Sequence, residues 1–218
     1  MKKQGRIVLV IMVLAAVSLA CNLSLPGAGP LYQDDFSTSG QWGTGTDSNS
    51  SIEYADSGLQ MQIFTNNYFI WSTPNADRFE NVHIEVTVKN NGTDPTTGFG
   101  ILCNQQPVTD LFYYVVITPA GEYAIAETSL TQPDVFLTNN DQFAQSELIA
   151  VDAPSYRIGA DCLNGSVTLY VDGSQITTVS DDSFTGGTAG LLVWSGQEVS
   201  AANVTFDDYV VTKYEPPQ

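Results

Sequence analysis

Apolar and polar residues alternate with a period of two along much of this chain, and this pattern limits the possible folds more than any other feature. In residues 82–89 aliphatic side chains occupy every second position and polar ones lie between them, as in a strand with one solvated face. Residues 59–63 and 167–171 repeat the pattern. No segment shows a sustained helical period of about 3.6 residues. The sequence therefore predicts an all-β protein.

Two-residue turn signals separate several of these segments. Asn164-Gly165 and Asp172-Gly173 each stand between two strand-like runs, and such pairs tolerate the positive φ angles of a type I′ turn. About a dozen short strands joined by Gly, Asn, Asp and Pro predict an antiparallel two-sheet sandwich. Residues 130–149, rich in Gln, Asn and Asp, interrupt the pattern. We expect either a short helical turn there or a loop over the rim of one sheet.

The order of several motifs resembles that of a known fold family. The motif DDFS at residues 34–37 precedes Trp42, YRIGADCLNG occupies 156–165, and FDDYVV closes the pattern at 206–211. Over residues 31–212 the chain is similar to concanavalin A-like (laminin G-like) jelly-roll domains. The resemblance implies an all-β, antiparallel two-sheet jelly-roll sandwich whose concave face often binds glycans. Bacterial surface lipoproteins and domains related to sugar hydrolases share this architecture, so fold alone does not identify function.

The start of the chain resembles a bacterial lipoprotein signal peptide. Lys2, Lys3 and Arg6 precede an apolar stretch at residues 7–20, which ends at Cys21 and is shorter than the roughly 20 residues of a membrane-spanning helix. The resemblance implies cleavage before Cys21 and lipidation of this cysteine. We therefore expect an extracytoplasmic protein anchored to the membrane of the cell envelope. Plain secretion is the alternative.

Three segments are expected after the signal peptide at residues 1–20. Residues 21–30 are rich in Pro and Gly and predict a flexible tether. Residues 31–213 show no further change in composition and predict one β-sandwich domain, which is long enough to bury a substantial core. Residues 214–218 form a short tail.

The charge of the chain excludes one class of partner. All 24 acidic residues but only four of the seven Lys and Arg residues lie beyond residue 20, so this part carries a formal charge of −20. Such a chain offers almost no cations for neutralising phosphates, and we therefore exclude nucleic acid as a partner. The many carboxylates could hold a divalent cation.

Two cysteines remain once Cys21 is assigned to the lipid. In an oxidising compartment Cys103 and Cys162 predict one disulfide, which would stabilise the fold by roughly 3 to 5 kcal/mol. A structural zinc site is the competing interpretation. Neither cysteine has a second cysteine nearby, and His83 is the only histidine, so the disulfide is favoured.

Signals for catalysis are weak. Glycosidases need two carboxylates about 5 to 9.5 Å apart, and glucanases of this fold usually carry them on one strand as Glu-x-Asp-x-Glu, a run that this sequence lacks. Glu85, beside His83, is a single carboxylate on a solvated strand face. Pairs formed across strands, such as Glu122 with Glu127 or Glu53 with Glu85, remain candidates for a catalytic pair. Enzyme activity is therefore uncertain, and the sequence favours its absence.

Aromatic residues carry the positive signal for binding. Sugars stack their apolar C–H faces on Trp and Tyr side chains. Our candidates for ligand binding on the concave face are Trp71, Tyr113 and Trp194, all on predicted strands. Period two places Phe69 on the same face as Trp71 and Tyr114 on the face opposite to Tyr113. The alternative is that most of these rings fill the core.

Paired acids stand at the two ends of the predicted domain, at residues 34–35 and 207–208. The first and last strands of jelly rolls commonly pair, which would bring these carboxylates together. A hard cation with 6 to 8 oxygen ligands would relieve their repulsion, so we predict a structural Ca²⁺ held by Asp35 and Asp207. The alternative is that these acids cap turns by accepting backbone hydrogen bonds.

Together these features predict a surface-anchored, non-catalytic β-sandwich lipoprotein that binds a carbohydrate or another extracellular ligand. Two alternatives remain from the sequence: a glycoside hydrolase-like domain, and a structural or adhesive envelope protein.

Overall fold

The structure of the protein is a computed structural model that describes residues 29–131, 133–140, 142–196 and 201–216. In this part of the chain every regular element is a strand, and no helix has the length and apolar character needed to cross a bilayer. The predicted signal peptide, the lipidation site Cys21 and most of the predicted tether lie outside the described residues. So do residues 217–218 of the predicted tail.

Sixteen strands are found in the described residues. In chain order they are β1 (Tyr32–Asp34), β2 (Gly45–Thr46), β3 (Ser50–Ala55), β4 (Gly58–Ile63), β5 (Phe69–Ser72), β6 (Val82–Asn90), β7 (Gly98–Gln105), β8 (Tyr113–Ile117), β9 (Glu122–Glu127), β10 (Val135–Phe136), β11 (Ala144–Gln145), β12 (Tyr156–Leu163), β13 (Ser166–Val171), β14 (Ser174–Val179), β15 (Thr188–Trp194) and β16 (Ala202–Lys213).

The strands form two antiparallel sheets, which confirms the predicted jelly-roll sandwich. The nine-stranded sheet has the order β14-β13-β12-β6-β16-β4-β3-β2, and β1 also pairs with β16. The seven-stranded sheet has the order β10-β9-β8-β7-β15-β5, and β11 also pairs with β9. The first and last strands pair as predicted, with Asp34 opposite Tyr209.

The alternation seen in the sequence becomes the two faces of each sheet. On β6 the residues from Val82 to Val88 at every second position are buried between the sheets, whereas His83 and Glu85 lie on the outer face. Burial of each large aliphatic side chain contributes roughly 1.5 to 3 kcal/mol, so this pattern determines which face of a strand points inward. The core therefore lies between the two sheets.

The disulfide joins the two sheets across this core. Cys103 lies on β7 in the seven-stranded sheet and Cys162 on β12 in the nine-stranded sheet, and their sulfur atoms are bonded. This confirms the pairing predicted from the sequence. Both cysteines are buried, so the link lies within the apolar interior.

In the described part of residues 130–149 the regular elements are β10 and β11, the two shortest strands of the seven-stranded sheet. Both pair with β9 at the edge of this sheet. This arrangement places Phe136 and Phe143 against the outer face of the seven-stranded sheet. The segment therefore covers part of one sheet.

Candidate ligand-binding face

The seven-stranded sheet is apolar on both of its faces. On β8, Tyr113 belongs to the core between the sheets, whereas Tyr114 packs in a second apolar cluster on the outer face. On β5, Ile70 faces the core, and Phe69 and Trp71 lie on the outer side. A strand with apolar residues on both faces needs cover on both, and on the outer side Phe136 and Phe143 supply part of this cover.

Aromatic side chains provide much of the outer surface of this sheet. We call the following set the aromatic face: Phe69, Trp71, Phe112, Tyr114, Phe136, Phe143 and Trp194. In this set Trp71 is exposed, Phe112 and Tyr114 are buried, and the other four are half-buried. Ring centroids of Phe69 and Trp71 are 5.9 Å apart, those of Trp71 and Phe112 are 5.7 Å apart, and those of Phe143 and Trp194 are 6.0 Å apart. Phe69 and Trp194 are direct cross-strand partners, which makes the surface continuous.

A cleft of about 430 Å³ opens at one end of the aromatic face. Phe136 and Phe143 line one side, Trp194 lies in the wall, and Asn67 and Asp134 supply polar groups. The hydroxyl of Tyr114, which also lines this cleft, donates to Asp134 Oδ2 at 3.1 Å, and burial raises the pKa of this tyrosine. The cleft thus combines flat apolar rings with hydrogen-bonding groups at its edge.

A second hollow of about 490 Å³ lies at the other end, beside Trp71. The indole of Trp71 is exposed, at 42% of its full accessible area. Thr44, Asp47 and Ser50 are among the polar residues around it. Asp47 Oδ1 accepts hydrogen bonds from the backbone N–H groups of Asn49 at 2.7 Å and of Ser50 at 2.8 Å, which lower the pKa of this carboxyl group.

The charged side chains that line the two openings are all acidic. Asp134 lines the cleft and Asp47 lines the hollow, and among the described residues no Lys or Arg lines either one. An anionic ligand group placed here would lose its hydration without meeting a cation. The chemistry of this surface therefore suits an uncharged ligand with both apolar faces and hydroxyl groups.

Two of the three predicted ligand-binding residues lie on this one surface. Trp71 on β5 and Trp194 on β15 occupy neighbouring strands and point to the same outer side. The prediction for Tyr113 is wrong, because its side chain is fully buried between the sheets. Its hydroxyl donates to the carboxylate of Asp181 and accepts a hydrogen bond from Phe184 N at 3.0 Å.

Sequence reasoning did not name most of the aromatic face among its ligand-binding candidates. Alternation placed Phe69 on the same face as Trp71, but only Trp71 was chosen as a candidate. Tyr114 is the next residue after Tyr113, but the strand Tyr113–Ile117 is apolar at every position and gives no indication of which parity points inward. Phe136 and Phe143 lie in a segment with no strand pattern, and only pairing with β9 places them here.

The structure does not bring together the two carboxylate pairs that the sequence left as candidates for catalysis. Glu122 and Glu127 stand five positions apart on β9 and so point to opposite faces of the sheet, with Glu127 directly opposite Tyr113 on the inner side. Glu53 on β3 and Glu85 on β6 are separated by β4 and β16, roughly 14 Å at about 4.8 Å per strand. Neither pair has the spacing of about 5 to 9.5 Å that glycosidases use.

Pairing of β1 with β16 brings the terminal acids to one end of the nine-stranded sheet. A hollow of about 530 Å³ there is lined by Asp34, Asp35 and Asp208 among others. Asp34 is occupied by other contacts: its Oδ1 accepts from Phe36 N at 2.8 Å and its Oδ2 from Trp42 Nε1 at 3.1 Å. This arrangement matches the turn-capping alternative for Asp34.

The two predicted metal ligands, Asp35 and Asp207, have environments that differ from that of Asp34. Asp35 is exposed and accepts from Ser37 N at 3.0 Å, and hydrogen bonds to Ser37 lower the pKa of its carboxyl group. Burial, together with repulsion from Asp208 and Asp35, raises the pKa of Asp207. Within the described residues no group of three or more His, Cys, Asp or Glu side chains is arranged to hold a metal ion. The Ca²⁺ site stays a prediction.

Solved structures with the same fold include both binding and catalytic proteins. A carbohydrate-binding module from Bacillus subtilis is similar with a TM-score of 0.62 and 13% identity, covering 79% of this chain and 95% of that one. A Bacillus subtilis protein of unknown function with a galectin-like fold has a TM-score of 0.62 and 10% identity, with coverages of 85% and 96%. The β-glucanase of Bacillus licheniformis has a TM-score of 0.60 and 12% identity, with coverages of 86% and 100%.

These likenesses show the fold. No protein-family profile and no curated protein sequence matches the chain.

Proposed function

We propose that this protein is a non-catalytic carbohydrate-binding lipoprotein of the cell envelope, with a glycan bound along the aromatic face of the seven-stranded sheet. The observation that carries the proposal is the continuous aromatic surface with the exposed indole of Trp71 at one end and Trp194 at the other. Sugar rings present apolar C–H faces that stack on such side chains.

The two openings supply the polar contacts that a sugar also needs. Asn67 and Asp134 line the cleft beside Trp194, and Thr44, Asp47 and Ser50 line the hollow beside Trp71. Binding sites for small ligands are typically apolar surfaces with a few polar groups that orient the ligand. A surface with such groups at both ends suits several linked sugar units better than a single one.

The acidic surroundings favour a neutral glycan. Neither opening is lined by a described Lys or Arg residue, and the chain beyond residue 20 carries a formal charge of −20. Sulfated, sialylated or uronic acid-containing glycans would be repelled at long range and would gain no ion pair on contact.

Similar folds support a ligand of this class. One structural relative is described as a carbohydrate-binding module and another as a β-glucanase, so the fold is used by proteins of both kinds. The carboxylate pairs suggested by the sequence lie on opposite faces or about three strands apart, which favours binding over hydrolysis. Anchoring through a lipid on Cys21 would hold the domain at the cell surface.

A glycan array tests the proposal. The whole chain, the Trp71→Ala variant and the Trp194→Ala variant would be compared on arrays of neutral and anionic glycans. We expect selective binding of neutral glycans, weakened about tenfold or more by either substitution, since stacking on one aromatic ring contributes roughly 1 to 3 kcal/mol. Val108→Ala is the matched control, because Val108 is 92% exposed in the turn after β7 and lines neither opening.

Other outcomes would redirect the proposal. Binding that survives both tryptophan substitutions would place the glycan elsewhere on the molecule. A blank array would support a structural or adhesive role, and release of shorter sugars from a bound polysaccharide would show a glycoside hydrolase.

A further inference from the structure

A compact polar cluster lies on the other side of the molecule, on the outer face of the nine-stranded sheet. His83 and Glu85 stand on β6, Asp161 is the cross-strand partner of His83 on β12, and Tyr170 extends from β13. These residues line a hollow of about 710 Å³, together with Tyr214 and others. The aromatic face lies on the other sheet, so the proposed glycan site does not use this cluster.

Asp161 holds the histidine in one orientation. The Asp161 side chain is only 7% exposed, and both of its oxygens are engaged: Nδ1 of His83 lies 2.6 Å from Oδ1, and the Tyr170 hydroxyl donates to Oδ2 at 2.7 Å. Because a carboxylate accepts hydrogen bonds, Nδ1 of the imidazole carries the proton. The lone pair of the neutral ring is therefore on Nε2, which points away from Asp161.

Glu85 stands next to Nε2. Its Oε1 lies 3.5 Å from His83 Nε2, which is the distance of a loose ion pair when the ring is protonated and too long for a good hydrogen bond. Two ligands each about 2.0 to 2.1 Å from a tetrahedral zinc ion stand roughly 3.3 to 3.4 Å apart. The separation of Nε2 and Oε1 is therefore close to that of two ligand atoms on one ion.

Arg157 fixes the other half of the Glu85 carboxylate. Its Nη2 lies 3.2 Å from Glu85 Oε2, and its Nη1 donates to Thr87 Oγ1 at 3.0 Å. This contact leaves Oε1 directed towards His83. Asp161 thus orients the imidazole of His83, and Arg157 orients the carboxylate of Glu85, so that Nε2 and Oε1 face each other.

We propose that His83 Nε2 and Glu85 Oε1 form a binding site for a divalent transition-metal ion such as Zn²⁺, oriented by Asp161. Metal-binding histidines commonly donate their other ring N–H to a carboxylate, which fixes the ring and makes it a better ligand. Imidazole and carboxylate together suit zinc, copper or nickel ions rather than Ca²⁺. The site is therefore distinct from the Ca²⁺ site predicted at Asp35 and Asp207.

The number of ligands makes this an exchangeable site. The described residues supply two ligand atoms and no group of three or more metal-binding side chains, so water fills the remaining positions on the side of the hollow. Protons compete with the metal for His83 Nε2, because imidazole binds a metal ion only in its neutral form. Metal affinity should therefore fall as the pH is lowered.

The single histidine of the chain gives a direct test. The whole chain, prepared without a histidine tag, would be titrated with Zn²⁺ at about pH 7.5 while the imidazole signals are followed by NMR. We expect the one set of signals to shift and saturate at one equivalent, with release of protons. Zinc binding that leaves the imidazole signals unchanged, or no binding at millimolar zinc, would overturn the proposal.

Variants separate coordination from general attraction of a cation. Glu85→Gln should weaken zinc binding about tenfold or more, as should His83→Gln. Glu215→Gln removes the same charge from a residue that lines the same hollow but forms no ion pair with His83 in the described part of the chain, and it should leave the affinity unchanged. Equal weakening by Glu85→Gln and Glu215→Gln would show attraction by the surface alone and would reject the site.

Discussion

Two buried tyrosines show how much a single hydroxyl group matters in this core. The hydroxyl of Tyr113 bonds to Asp181 and to Phe184 N, and burial raises the pKa of this tyrosine to about 12. Tyr209 is also fully buried, packed edge-on against Trp42 with ring centroids 4.9 Å apart. Its hydroxyl has no hydrogen-bond partner among the described residues. A buried hydroxyl without a hydrogen-bond partner destabilises the folded state, whereas a hydrogen-bonded one stabilises it.

Substitution by phenylalanine should therefore act in opposite directions at these two positions. We expect Tyr209→Phe to leave the free energy of unfolding unchanged or to raise it by up to about 1 kcal/mol, because it removes an unsatisfied polar atom. Tyr113→Phe should lower it by about 1 to 3 kcal/mol, because Asp181 and Phe184 N lose a partner. Urea unfolding of both variants measures the difference. A clear loss of stability in Tyr209→Phe would show that its hydroxyl has a partner.

Three neighbouring strands of the nine-stranded sheet are joined by side chains as well as by their backbone ladders. His83 on β6 contacts Asp161 on β12, which also accepts from Tyr170 on β13. Glu85, Lys213, Tyr214 and Glu215 are the other titratable groups that line the hollow. The hydrogen bond to Asp161 is the main cause that raises the pKa of His83.

This cluster should make stability depend on pH above the ordinary pKa of histidine, about 6.5. A histidine with a raised pKa in the folded state contributes stability that is fully present below its unfolded pKa and is lost as the pH rises through its folded pKa. We expect the difference in unfolding free energy between the wild type and His83→Gln to shrink from about pH 6 towards higher pH in metal-free buffer. A difference that is constant with pH would contradict the raised pKa.

The whole molecule depends on the contact between its two sheets, and one covalent bond crosses that contact. Cys103 and Cys162 link β7 to β12 within the core. We expect the double variant Cys103→Ala and Cys162→Ala to lose roughly 3 to 5 kcal/mol of unfolding free energy, because the unfolded chain regains the freedom of the closed loop. Thermal melts of this variant and of the wild type with reductant should agree. Equal melting temperatures with and without reductant would contradict the expectation.

The predicted Ca²⁺ site would link the two ends of the domain without a covalent bond. Asp35 and Asp207 lie near each other because β1 pairs with β16, and their mutual repulsion contributes to the raised pKa of Asp207. If Ca²⁺ bridges them, EDTA should lower the melting temperature, and added Ca²⁺ should restore it, since a ligand bound only to the folded state stabilises it. Asp35→Asn should remove this response. A melt that EDTA does not change would reject the Ca²⁺ site.

Much of the architecture was predictable because it depends on local patterns. Strands such as Val82–Asn90 show period two, Asn164-Gly165 and Asp172-Gly173 mark hairpins, and the two cysteines other than Cys21 can form one disulfide. Each of these signals lies within a few residues or needs only a count. The short strands Val135–Phe136 and Ala144–Gln145 carry no such signal, since they form only where β9 offers an edge.

The candidate site needed the packing of the whole domain. The sequence determines that apolar residues alternate and that Tyr113 and Tyr114 point to opposite faces, because side-chain direction along a strand has a period of two. It does not determine which of the two tyrosines enters the core, because every residue of that strand is apolar. That choice is made when the second sheet packs against one face and buries it. The same packing places Trp71 and Trp194, 123 positions apart in the sequence, on one surface.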